Sequence, residues 1–142
     1  MNPSQMVRMV MTKNPRSVDI GATPGEVAAL LEEGCFEHLP VLRGGALVGI
    51  ISASDIARVS LGAWVKDKDT ASAWLDSQFR VNNLMTWEPD FVRDNDPISV
   101  AAAKLCDATY HCLPVLDVGN KLVGIVTSTD LLRVLAAEAP KE

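Results

Sequence analysis

The chain has 142 residues, enough for one domain or for two half-domains sharing a core. Apolar residues make up 48% and charged residues 22%, an ordinary globular composition that excludes intrinsic disorder and needs no disulfide staples. The formal net charge of -5 argues against non-specific nucleic-acid binding, which needs clustered Lys and Arg, but leaves room for one or two phosphates at a local basic spot. No apolar run approaches the ~20 residues that span a bilayer, and the N-terminus lacks a signal-peptide pattern. A cytoplasmic protein with no membrane contact is expected. Cys35, Cys106 and Cys112 follow no metal-binding or redox spacing and read as small hydrophobes.

In chain order, residues 1–5 read as a disordered stretch or an arm, and residues 7–11 as a short apolar segment leading into a loop at Asn14-Pro15. Residues 18–20 are a short extended piece. Thr23-Pro24-Gly25-Glu26 predicts a helix start: Thr23 caps, Pro24 takes the first helical position and Glu26 completes a capping box. Val27, Ala28, Leu30 and Leu31 form its apolar face and Gly34 ends it. Residues 38–42 and 46–51 read as two strands around the turn Arg43-Gly44-Gly45, and residues 52–55 open a helix with apolar positions at Ile56, Ala57, Val59 and Leu61. Residues 62–80 form a connecting segment: a charged loop, then a short amphipathic helix over residues 70–79 with Ala71, Trp74 and Leu75 inward. Trp64, Trp74 and Phe79 either seal a junction between halves or contact a partner subunit.

The second half repeats the first. Met11-Thr12 returns as Met85-Thr86, Pro15 as Pro89, and Leu39-Pro40-Val41-Leu42 as Leu113-Pro114-Val115-Leu116, at a constant offset of 74. Gly49-Ile50-Ile51-Ser52-Ala53-Ser54-Asp55 returns as Gly124-Ile125-Val126-Thr127-Ser128-Thr129-Asp130 at an offset of 75, after one extra residue at the hairpin tip. Asp96-Pro97 restarts the first helix one residue out of step, with Ala101, Ala102 and Leu105 on its apolar face. A unit of about 60 residues buries too little alone, which is a physical reason for duplication.

Two full copies of this pattern resemble a tandem pair of CBS domains, named after cystathionine β-synthase, of the stand-alone kind. The expected fold is α/β (α+β): two pseudo-twofold related βαββα repeats packed through their sheets, with repeat one at residues 7–61, the connecting segment at 62–80 and repeat two at 81–137. The resemblance implies a regulatory, non-enzymatic module that senses an adenosine-containing ligand (AMP, ADP, ATP or S-adenosylmethionine) in clefts between the repeats. It also implies a homodimer, and leaves open an unknown regulated protein as partner. The alternative reading is a non-binding dimeric scaffold, which exposed Trp64 and Trp74 would favour. An enzyme is poorly supported, since no nucleophile–base spacing, phosphate loop or metal cluster is visible.

Ser52-x-x-Asp55 and Thr127-x-x-Asp130 are capping boxes whatever else they do. A helix N-terminus also presents free N–H groups to a phosphate, and the Asp's outer oxygens can accept ribose hydroxyls. The resemblance sets the first cleft at Thr12, Lys13, Arg16, Ser17, Val18, His38, Leu39, Pro40, Thr127 and Asp130. It sets the second at Ser52, Asp55, Thr86, Asp90, Phe91, Val92, Cys112, Leu113 and Pro114. Lys13, Asn14 and Arg16 correspond to Trp87, Glu88 and Asp90, so one loop is basic and the other acidic with an aromatic. With cross-repeat pairing the basic loop faces Thr127 and Asp130. A phosphate-bearing nucleotide then prefers that cleft, and the other is empty or takes a less charged ligand with Trp87 near the base. Arg58 and Arg133 read equally as phosphate contacts or as ion-pair partners of their helices. The scarcity of cations favours AMP or ADP over ATP. His38 reads as a strand residue lining the cleft and not as a catalytic base; His111 is one position out of register with it.

Overall fold

A computed structural model describes residues 5–34, 37–60, 68–108 and 110–138. In chain order it contains a 3-10 turn at Val7–Met9, strands β1 (Thr12–Lys13) and β2 (Val18–Asp19), helix α1 (Pro24–Gly34), strands β3 (His38–Arg43) and β4 (Ala46–Ser52), and helices α2 (Ala53–Ser60), α3 (Lys68–Gln78) and α4 (Val81–Leu84). Strands β5 (Thr86–Trp87) and β6 (Val92–Arg93) follow, then α5 (Ile98–Asp107), β7 (Cys112–Leu116), β8 (Leu122–Thr127) and α6 (Ser128–Ala137). This is the mixed α/β class expected, with two four-stranded sheets ordered β2-β3-β4-β5 and β1-β8-β7-β6. Trp64, Cys35 and Leu61, singled out above, lie outside the described residues.

The chain divides into two compact units, one continuous (Arg16–Pro89) and one split (Met1–Pro15 with Asp90–Glu142). The units do not follow the order of the sequence repeats. Each takes the short Met-Thr strand of the other repeat, because β1 pairs with β8 and β5 pairs with β4.

In the continuous unit the β3–β4 hairpin turns through Gly44 and Gly45 at φ of 57° and 84°, a left-handed pair that two glycines adopt without Cβ strain. Pro40 lies one residue before the parallel β2–β3 ladder, which joins Val18 to Val41 and Asp19 to Leu42, so its missing N–H breaks no bond on that side. Alternate residues Leu39, Val41 and Ile51 are fully buried and meet Val27 and Leu31 of α1, Leu75 of α3 and Val81 of α4. The capping box of α1 forms as expected: Glu26 N donates to Thr23 Oγ1 at 3.2 Å and Thr23 N to Glu26 Oε2 at 3.4 Å. A further cap was not visible in the sequence: Asp76 of α3 accepts the Gly25 N–H at 2.7 Å from 51 residues away. Trp74 and Phe79 pack edge to face, centroids 6.1 Å apart, against this unit's own core.

The split unit repeats the plan. Leu113, Val115 and Val126 are fully buried against Ile98, Ala101 and Leu105 of α5 and Leu131 of α6, and Val7 of the N-terminal turn completes the core. Three expectations are corrected here. Helix α5 starts at Ile98 with Pro97 as its N-cap and no side-chain cap, while the Asp96 carboxylate accepts the Arg93 N–H at 2.8 Å. The cap is replaced from outside the helix, since Ile98 N donates to the Gln5 carbonyl at 3.1 Å and Met6 bridges Pro97. Gln5 is therefore part of the fold. Of the cysteines, Cys112 is a buried hydrophobe, but Cys106 on α5 is exposed, because the helix turns that position away from the sheet.

Candidate ligand-binding site

Both hydroxyl-x-x-Asp motifs sit where a strand ends and a helix begins. At Thr127 the N–H donates to Asp130 Oδ2 at 2.9 Å, the Asp130 N–H donates to Thr127 Oγ1 at 3.3 Å, and the hydroxyl donates back to Oδ2 at 3.2 Å. At Ser52 the N–H donates to Asp55 Oδ2 at 2.8 Å and Asp55 N to Ser52 Oγ at 3.1 Å. The second oxygen of each Asp faces an arginine one turn on. Arg58 Nη2 lies 2.9 Å from Asp55 Oδ1, and Arg133 Nη1 lies 3.5 Å from Asp130 Oδ1. Both arginines are about three-quarters exposed, so water screens these pairs and the guanidinium groups are free to swing away. Asp130 is 8% exposed and is the one buried charged side chain among the described residues.

The strand register determines what lies beside each motif. Thr12 is opposite Ile125 and Lys13 opposite Gly124, and Asn14 N donates to Val123 O with φ of 50°. The basic segment thus shares a sheet with Thr127, and Lys13 is three residues short of it, roughly 10 Å by the rise of a strand. In the continuous unit Thr86 is opposite Ile50 and Trp87 opposite Gly49, and Glu88 N donates to Val48 O at φ of 47°. The Trp87 indole is already engaged: Nε1 donates to Asn82 O at 2.9 Å, and Arg43 lies 5.6 Å from the ring centroid.

The first expected set divides between the units. Thr12, Lys13, Thr127 and Asp130 come together in the split unit, whereas Arg16, Ser17, Val18, His38, Leu39 and Pro40 belong to the continuous one. The second set divides likewise: Ser52, Asp55 and Thr86 in the continuous unit, and Asp90, Phe91, Val92, Cys112, Leu113 and Pro114 in the split one. Val18, Leu39, Pro40, Val92, Leu113 and Pro114 are buried within their units. His38 pairs in register with Ser52, and Cys112 with Thr127. Burial, and then the nearby Asp130 charge, push the Cys112 thiol up to about 12. Asp90 is bonded to Lys104 Nζ at 2.7 Å, Tyr110 Oη at 3.0 Å and its neighbour Phe91 N–H at 2.9 Å. Burial raises its carboxyl, but those bonds outweigh it and hold the group below the usual carboxylate range. The same contact, after burial, raises the Tyr110 phenol.

A cavity of about 350 Å³ opens beside Asp130 within the split unit. It runs along α6 past Arg133, Val134 and Ala137 to Glu138, and Gln5 and Val10 of the N-terminal segment form the other wall. Sequence reasoning missed this wall. The helical spacing of residues 130, 133, 134 and 137 was legible, but nothing marked Gln5 or Val10 as its neighbours. Among the described residues no cluster of His, Cys, Asp or Glu is placed to hold a metal ion, and no helix is long and apolar enough to cross a membrane.

Two duplicated sheet-and-helix units, each with a capped hydroxyl-x-x-Asp helix start, define a pair of CBS domains. The CBS domain model matches residues 7–62 and 81–137, and the chain belongs to that family. It is 31% identical over 127 residues to a homoserine O-acetyltransferase of Methanococcoides burtonii, covering 89% of this chain and 23% of that protein. The chain spans about a quarter of the length of the curated relatives it matches first. The CBS domain pair of protein MJ0100, solved with 5′-methylthioadenosine and S-adenosyl-L-methionine, is similar at a TM-score of 0.79 and 26% identity, covering 96% of this chain and all of that one. CBSX2 of Arabidopsis thaliana, solved with AMP, is similar at 0.77 and 27%, covering 94% and 97%.

Proposed function

We propose that this protein is a regulatory module that binds an adenosine-containing ligand at the Thr127–Asp130 motif and reports it through a change of conformation. The observation that carries the reading is the state of Asp130. It is a buried carboxylate with one oxygen committed to the cap of α6 and the other held by only a long, exposed arginine contact. That second oxygen is free to accept ribose hydroxyls, and the first turn of α6 offers N–H groups to an anion. Similarity to CBS pairs solved with AMP and with S-adenosylmethionine supports the ligand class. Placement of Thr12 and Lys13 on the strand beside β8 favours this motif over Ser52–Asp55 for a phosphate-bearing ligand. Among phosphorylated adenosines AMP and ADP bind before ATP, because Lys13 and Arg133 are the nearby cations and each added phosphate brings uncompensated charge. A ligand reports itself only by binding two arrangements with different affinity. The scaffold reading gains nothing from Trp74, which is half-buried on a core.

The test is calorimetric titration of nucleotide-free protein with AMP, ADP, ATP and S-adenosylmethionine, beside the Asp55→Ala and Asp130→Ala variants. Binding lost in Asp130→Ala and kept in Asp55→Ala is expected. Binding lost only in Asp55→Ala would reverse the choice of motif, and no binding to folded protein would end the reading.

A further inference from the structure

The turn that leads from α5 into β7 is closed from both sides by one carboxylate. Asp90 accepts from Lys104 Nζ at 2.7 Å and from Tyr110 Oη at 3.0 Å, and its third donor is the Phe91 N–H at 2.9 Å. Lys104 lies in the last turn of α5, and Tyr110 lies two residues before β7. All three side chains are partly exposed, so water weakens each bond taken singly. Three donors converging on one acceptor group hold better than any one of them.

The chain that Tyr110 anchors runs directly beneath the Thr127–Asp130 motif. The carbonyl of the next residue, His111, accepts the Ser128 N–H at 3.2 Å, at the first position of α6. Cys112 then pairs in register with Thr127. The repeat comparison singles out the same cluster. At the offset of 74, Asp90, Lys104 and Tyr110 correspond to Arg16, Leu30 and Phe36. Arginine offers no acceptor, and leucine and phenylalanine offer no donor. Tyr110 adds to Phe36 only the hydroxyl that reaches Asp90. All three exchanges fall in the unit that also buries Asp130.

We infer that Asp90, Lys104 and Tyr110 form a latch that positions the Thr127–Asp130 motif for its ligand. They are positioning residues, acting through the His111 carbonyl and the Cys112–Thr127 pairing. Fixing the turn beforehand removes an ordering cost from ligand binding. The inference rests on the reading of that motif as the binding site.

Tyr110 is the sole tyrosine of the chain, so 13C at tyrosine Cζ gives one resonance that reads its hydrogen bond. The full chain is compared with Tyr110→Phe, Lys104→Met and Lys104→Arg by amide exchange at Ser128, by melting curves and by titration with AMP and S-adenosylmethionine. The tyrosine resonance is followed in the parent and both Lys104 variants. In Tyr110→Phe and Lys104→Met, Ser128 exchange should quicken about tenfold and affinity should fall about three- to tenfold, with little change in melting temperature. The tyrosine resonance should move in Lys104→Met. Lys104→Arg keeps a cation in place and should return resonance, exchange and affinity to within about twofold of the parent. Unchanged Ser128 exchange overturns the latch. Faster exchange with unchanged affinity, or an affinity that merely follows melting temperature, makes the cluster a structural brace and overturns the positioning role. Should neither ligand bind the folded parent, the adenosine reading fails, while Ser128 exchange and the tyrosine resonance still decide whether the latch holds the motif.

Discussion

Met85 Sδ lies so close over Gly49 that a Cβ there would sit 2.5 Å from the sulfur and 3.0 Å from the Thr86 carbonyl oxygen. Met11 and Thr12 stand over Gly124 in the same way. This is the physical content of the repeated Met-Thr and Gly-h-h signatures. The strand borrowed from the other repeat lies against β4 or β8 only because the facing residue has no side chain. Gly49→Ala should destabilise the protein by about 1–3 kcal/mol, since buried Met85 has nowhere to go and the carbonyl cannot retreat. Gly124→Ala should cost less, because Met11 is only half-buried and can swing out. Urea midpoints for the two variants, and for Gly49→Ala with Met85→Ala, decide this. A double variant no less stable than Met85→Ala alone would identify the sulfur as the clash.

Helix α3 packs Leu75 into the core and also caps α1 with one hydrogen bond. Asp76 Oδ1 accepts the Gly25 N–H in the first turn of α1, where the helix dipole also favours a negative charge. Asp76→Ala should cost about 1–3 kcal/mol by leaving a part-buried donor unpaired, and Asp76→Asn clearly less, since an amide oxygen still accepts. Equal losses for the two would mean that charge, and not the acceptor, holds α3 to α1.

Cys112 makes stability fall at alkaline pH. Its thiol is raised from the ordinary 9.0 to about 12, so between those values the unfolded chain releases a proton that the folded chain keeps. The stabilisation is complete below about 9 and is lost as pH rises toward 12, by at most about 1.4 kcal/mol per pH unit. Urea midpoints from pH 8 to 10.5 should fall less steeply for Cys112→Ala than for the parent. A thiol reagent at pH 8 should label exposed Cys106 far faster than Cys112.

The hairpins and the helix starts at Pro24 and at the two hydroxyl-x-x-Asp motifs were legible because each rests on a local pattern, whereas the placement of each Met-Thr segment beside the other repeat's motif followed only from the resemblance to CBS pairs. What was not legible depends on partners distant in sequence. The acceptor for the first N–H of α5 is the carbonyl of Gln5, and Asp76 caps a helix 51 residues earlier. Trp87, expected near the base of a ligand, also donates its indole N–H to Asn82 O and lies under Arg43, contacts that no local spacing marks. At the site, Asp130 was legible as cap and ligand candidate. Its burial, its long contact to Arg133 and the cavity wall built from Gln5 and Val10 were not, since no local spacing encodes where an N-terminal segment lies.

Capping and ligand binding share Asp130, and substituting asparagine separates them. An amide oxygen can still accept the Thr127 N–H, so Asp130→Asn gives up only the dipole interaction and a screened arginine contact, about 1 kcal/mol together. Asp130→Ala leaves the Thr127 N–H unpaired as well and should cost about 1–3 kcal/mol. Ligand binding should respond differently. Ribose hydroxyls donating to a carboxylate lose the charged acceptor in both variants, so affinity should drop about tenfold or more even in the well-folded Asp130→Asn. Asp55→Asn, exposed to the same loss of charge at the sister motif, should leave that affinity unchanged. Melting temperature and calorimetric affinity measured on the three variants give two independent axes. An affinity that follows melting temperature across them would make Asp130 a cap alone; an affinity lost in Asp130→Asn with the fold intact would make it a ligand-binding carboxylate.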